Sequence, residues 1–224
     1  MRRFLTMSFA VLCLVGTFAA TDAQAVTIAF DNTFTSIIPG LTGFSTTGAM
    51  MDGLLVTVDF AGGGSDSDSW AGTGPASGGA SGTGWSLNVN GDTFGAIWTF
   101  ASSRAIDSLT LDGRTALTVF DTTFSGPGTP GSANGWTWDC QSPSCSDAAV
   151  EYSYQVAVGA APPVGDLYQV VRIAFDQADP GVTAFAFIQD TDNDSRALDV
   201  PEPGTLLLLG SGLTGLALRR RRRG

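Results

Sequence analysis

Three aspartates alternate along the stretch QDTDND: Asp190, Asp192 and Asp194. Carboxylates at alternate positions are how calcium loops begin, because a hard divalent cation collects hard oxygen ligands, and Asn193 could add a carbonyl. The pattern then stops: Ser195 and Pro201 stand at the sixth and twelfth positions, where an EF-hand has glycine and glutamate. The simpler expectation, and the favoured one, is a solvated acidic linker following the last strand. A second acidic run, SDSDS at Ser65–Ser69, occurs once and misses the glycine pattern of calcium-binding repeats, so it reads as loop.

Two tryptophans, Trp136 and Trp138, lie two apart in WTWDC and would share one face of a strand, where rings can stack on sugar faces. The competing role, ordinary core packing, suits large aromatic side chains in a layered β-fold better. Beside them Cys140 and Cys145 remain as an even pair once Cys13 leaves with the N-terminal segment, and a disulfide is expected in an exported chain. Histidine and lysine are absent from the whole chain, which rules out Ser-His, Cys-His and Ser-Lys nucleophiles and zincin-type metal sites. Paired carboxylates can hydrolyse glycosidic bonds, but no pair stands out among aspartates that mostly suit turns. The expectation is therefore a non-enzyme with no resident cofactor, calcium being the one candidate ion.

The elements that must carry these residues are strands. LLVTVDF places Leu54, Val56, Val58 and Phe60 on one face; WSLNVN does so with Trp85, Leu87 and Val89, and EYSYQVAV with Tyr152, Tyr154, Val156 and Val158. VTIAF, AIWTF, DSLTL, LTVFD, YQVVRIAF and VTAFAFI complete nine short strands, and no segment of the body carries a helical stripe. That pattern predicts an all-β domain, an antiparallel β-sandwich or jelly roll, over residues 26–199. The glycine-rich run Gly62–Gly84 is expected to be an exposed loop with Trp70 as its anchor, since glycine has no side chain to pack and a large entropy to lose.

Charge narrows the partners. Between Val26 and Val200 nineteen carboxylates face four arginines, a net charge of about −15, so phosphate backbones and anionic lipid are repelled and nucleic-acid binding is not expected. At the N-terminus Arg2 and Arg3 precede a short apolar stretch and a small-residue site at Ala23 and Ala25, the composition of a secretory signal peptide over residues 1–25. At the other end, residues 200–224 run from Pro201, Glu202 and Pro203 through fifteen uncharged residues to Arg219, Arg220, Arg221, Arg222 and Arg223. Fifteen helical residues reach only about 22 Å against a hydrocarbon core of roughly 30 Å, and the arginines hold their end inside.

This tail resembles the PEP-CTERM sorting signal of bacterial exported proteins. The resemblance implies an inner-membrane-anchored precursor, cutting near Pro-Glu-Pro by an exosortase, and delivery to the cell surface or an exopolysaccharide matrix. The same tail accompanies ice-binding proteins, but the body has no regular Thr-x-Thr array to make a flat ice-matching face. Two expectations follow for the body: a structural or adhesive, noncatalytic surface protein, or a carbohydrate-binding module, calcium-dependent if the aspartates bind.

Overall fold

The computed structural model describes residues 26–42, 45–122, 128–129, 132, 135–175 and 181–196. Fifteen strands run in order through them: β1 (Thr27–Phe30), β2 (Phe34–Ile38), β3 (Leu55–Phe60), β4 (Ser65–Ser69), β5 (Ala71–Gly72), β6 (Ser77–Gly82), β7 (Trp85–Asn90) and β8 (Trp98–Ser102). Then come β9 (Ile106–Asp112), β10 (Thr118–Asp121), β11 (Asp139–Cys140), β12 (Ala149–Val158), β13 (Leu167–Ala174), β14 (Ala184–Ile188) and β15 (Asp190–Asn193). They form two sheets. The larger has the order β1-β12-β13-β9-β3-β4, with β2 also on β12, and with β10 on β13 carrying β15 at its far side; the smaller is β11-β14-β8-β7-β6-β5.

The all-β class expected from alternation is what the chain adopts. Leu54, Val56, Val58 and Phe60 on the larger sheet and Trp85, Leu87 and Val89 on the smaller are all buried in one apolar cluster, together with Leu109, Leu111, Trp98 and Phe187. The two sheets thus bury alternate residues against each other, and burial of such side chains stabilises by roughly 1.5–3 kcal/mol each. A smaller cluster of Ile38, Val119, Val156 and Leu167 gathers residues of β2, β10, β12 and β13.

Four expectations need correction. The run Gly62–Gly84 is not one loop: β4 pairs with β3, and β6 with β7. Its glycines make room for indoles. A Cβ on Gly78 would lie 2.0 Å from the Gly48 carbonyl and 2.3 Å from Trp70 Nε1, and one on Gly82 would lie 2.3 Å from Trp85 Nε1. Trp70 is indeed anchored, its Nε1 donating to the Gly48 carbonyl at 2.7 Å. Close packing has overridden strand propensity here.

Tyr154 does not share the face of Tyr152. It has φ of 61°, the ladder slips between Gln155 and Val156, and its exposed ring lies under Arg114, 4.1 Å from guanidinium carbon to ring centre. The register of β12 with β13 stays in step past it, the slipped residue being Thr35 of β2, so the left-handed backbone turns out this one side chain while Gln155, Val156 and Ala157 are all buried. The pairing is not wholly antiparallel, since β1 and β2 lie end to end along β12 in the parallel sense. Finally, the acidic stretch from Asp190 is not a solvated linker but strand β15, antiparallel to β10, with Asp190, Asp192 and Asp194 buried.

Candidate functional site

The register of β10 against β15 gathers the carboxylates. Asp121 stands directly opposite Asp190, and Val119 opposite Asp192, so the two strands bring an aspartate from the middle of the sequence to two from its end. Asp190 is 6% exposed, Asp192 4% and Asp121 1%.

Residues of the connection between β10 and β11 lie against them. The Ser132 hydroxyl is in hydrogen-bond contact with Asp121 Oδ2 and 2.8 Å from Asp192 Oδ2. A hydroxyl has one hydrogen to donate, so both contacts are satisfied together only when one of the carboxyls is protonated and donates to the serine oxygen. Three residues further on, a Cβ on Gly135 would lie 2.0 Å from Asp121 Oδ1, which is why glycine stands where the backbone crosses the acid. At the other side Thr129 donates from its backbone N and its Oγ1, each at 2.6 Å, to the buried Asp166.

Burial pushes the Asp190 carboxyl up to about 8, helped by the charges of Asp192 and Asp121 and opposed by hydrogen bonds from Thr93 and Thr191. Thr191 N donates to Asp190 Oδ1 at 2.9 Å and Thr93 Oγ1 at 3.2 Å. Asp192 rises to about 6, again through burial first; the Ser132 hydrogen bond opposes the rise, while Asp121, Asp166 and Asp92 add to it. Asp190 therefore keeps its proton at neutral pH, because several buried carboxylates cannot all ionise side by side. A hard divalent cation is the other way to neutralise such a set, with Asp121, Asp190, Asp192 and the Ser132 hydroxyl as oxygen donors. Among the described residues no three carboxylates, cysteines or histidines already converge as a ready metal cage.

The expected trio is thus only partly assembled. Asp194 turns instead to Arg196, with 2.5 Å to Nη2 and 2.6 Å to Nε, and accepts from the Arg196 backbone N at 2.9 Å. Asp121 is the member the sequence did not suggest: it ends a strand some seventy residues away, and only the β10–β15 register reveals it. In SDSDS, Asp66 accepts from Thr83 N at 2.8 Å and Trp85 Nε1 at 2.9 Å, and these bonds hold its carboxyl below the usual range. Its role is to fasten β4 to the turn before β7.

WTWDC is not a strand through its tryptophans; β11 begins at Asp139. Trp138 is 3% exposed and stacks on Phe187 at 6.0 Å, so its ring belongs to the core and offers no face to a sugar. Trp136 is half-buried, meets Phe94 edge-on at 5.8 Å, and its carbonyl accepts from Asp190 N at 3.1 Å. The two rings do not make a shared platform. Cys140 and Cys145 are joined as expected, closing a one-turn 3-10 helix, Pro143–Cys145, against β14.

Ala23, Ala25, Pro201, Glu202, Pro203 and Arg219 to Arg223 lie outside the described residues. Among the described residues no helix is long and apolar enough to cross a membrane. No curated protein and no solved structure matches the chain. A family model of the PEP-CTERM protein-sorting motif matches residues 199–222, the tail and none of the body. The tail thus carries a PEP-CTERM sorting motif, which indicates an exported protein held transiently in the membrane and directed to an exosortase.

Proposed function

We propose that the body is a noncatalytic structural or adhesive module that exosortase releases to the cell surface or an exopolysaccharide matrix. The observation that carries this reading is the sorting motif at residues 199–222, behind an all-β body rich in carboxylates and closed by a disulfide. A strongly anionic body stays soluble and apart from anionic lipid once released. The experiment is intact mass of the protein recovered outside the producing cell, beside a chain ending at Asp199. The expected mass lacks Arg219 to Arg223. A recovered mass that includes them, or equal delivery and attachment of the shortened chain, overturns the reading.

A second reading, a calcium-dependent carbohydrate-binding module, is favoured by one observation, the buried set Asp121, Asp190 and Asp192. Trp136, not Trp138, would then supply the ring. Retention on the producer's own polysaccharide with calcium, and its loss with chelator, supports this reading; indifference to both removes it.

A further inference from the structure

Sheet edges expose unpaired backbone groups, and proteins usually blunt them with charge, shortness or cover. Most edges here are blunted. β4 carries Asp66 and Asp68, which reach across to the backbone of Thr83 and Ser81. β5 and β11 are two residues each, and β15 has Thr42 N donating to its Asn193 carbonyl.

The β1–β2 edge is different. Along one side of β12 it presents Thr27–Phe30 and Phe34–Ile38, neither of which contains a charged residue. Asp31 between them turns its carboxylate onto Thr33 N at 2.9 Å. Thr27 N donates to the Ala148 carbonyl and Asp31 N to that of Tyr152, so by the alternation of a parallel ladder the backbone groups of Ile28 and Phe30 point away from the sheet. Ile28, Phe30, Phe34 and Ile37 are exposed, Ile37 at 60%.

The occupant is argued from charge and symmetry. With nineteen carboxylates against four arginines, two bodies repel each other everywhere except where both surfaces are uncharged. The approaching chain must bring an extended, uncharged strand with free backbone donors and acceptors. Among the described residues this chain has one such long edge, and a twofold axis pairs an edge with itself in antiparallel sense, needing no second surface. We infer that the β1–β2 edge docks a second copy of this chain, joining the two larger sheets into one. The inference deepens the structural reading by naming its partner, and rests on that reading only for its biological use.

The test is the mass of the full chain in detergent by light scattering across a concentration series, for the wild type, Ile28→Asp, Ile37→Asp and Ile97→Asp. Ile97 is also exposed, at 50%, but stands just before β8 of the smaller sheet, and all four chains keep the same tail. The expected result is a wild-type dimer whose Kd rises about tenfold or more in each edge variant, since like charges then face each other across the axis, and is unchanged in Ile97→Asp. The melting temperatures of the exposed-site variants stay near wild type, which shows that they are folded. Added salt tightens the dimer by screening the two bodies. A wild-type monomer throughout, edge variants that dimerise as before, or equal weakening by Ile97→Asp overturns the inference. Because sorting plays no part in this measurement, its failure leaves the exosortase reading untouched.

Discussion

The buried aspartates make stability fall as pH rises. Asp190 at about 8 and Asp192 at about 6 hold protons more tightly in the folded chain than in the unfolded one, where carboxyls titrate near 4. Between these values the unfolded chain binds fewer protons, so the contribution is complete below about pH 4 and is lost as pH climbs through about 6 and then 8. Each unit of pH costs about 1.4 kcal/mol for each carboxyl still protonated in the fold. From pH 5 to pH 7 that is about 3 kcal/mol for Asp190 and about 1 kcal/mol for Asp192, and water entering the site as it ionises brings the pair to about 2–4 kcal/mol. For a body of this size that lowers Tm by about 5–15 °C. The assay is thermal melting by tryptophan fluorescence from pH 5 to 8 with chelator present, so that no cation substitutes for the protons. Asp190→Asn keeps the volume and cannot ionise, and is expected to remove most of the slope; Asp192→Asn flattens only the lower part of the window. Asp31 and Asp66, whose carboxyls lie below the usual range, act at more acid pH and leave this window clear. A Tm that is level or rises from pH 5 to 8, or an Asp190→Asn slope equal to wild type, refutes the reasoning.

Gly78→Ala is expected to destabilise by about 1–3 kcal/mol, because its Cβ meets the Gly48 carbonyl and Trp70 Nε1; shifted Trp70 emission and an earlier denaturant midpoint would report it. Replacing Cys140 and Cys145 by serine opens a short loop and costs about 2 kcal/mol, read as a Tm loss of about 4–8 °C that reductant reproduces in the wild type. Trp138→Ala should cost about 3–5 kcal/mol in chemical denaturation, while half-buried Trp136→Ala costs clearly less; equal losses would contradict their different burial.

What was legible in the sequence had a physical period. Strands with apolar residues at alternate positions, such as Leu54 to Phe60 and Trp85 to Val89, announce their buried face because a half-buried strand repeats every two residues, whereas β1, read in the same way, is exposed along its length and β10 is buried along its length. Six strands lack any such period. β4 to β6 are built from serine, glycine and aspartate, and become strands because Trp70 and Trp85 need space beside them. In β15 the alternating residues are carboxylates, a pattern that reads as solvated until its partner is known. The same limit hid Asp121: LTVFD looks like any strand end, and nothing local says that Asp190 will lie opposite. Tyr154 was misplaced because its left-handed backbone turns a single side chain outward without slipping the β12–β13 register, a local departure that leaves no mark in the alternation of EYSYQVAV.

The parallel seating of β1 and β2 on β12 ties the first strand to leave the export channel to one that emerges some 120 residues later. Contacts so distant along the chain close slowly, since the loop entropy is lost before the pairing is gained. The chain therefore remains threadable during its passage. The last strand among the described residues, β15, ends six residues before residue 199, where the sorting match begins, so the β10–β15 pairing can close only once nearly the whole body has emerged ahead of the tail.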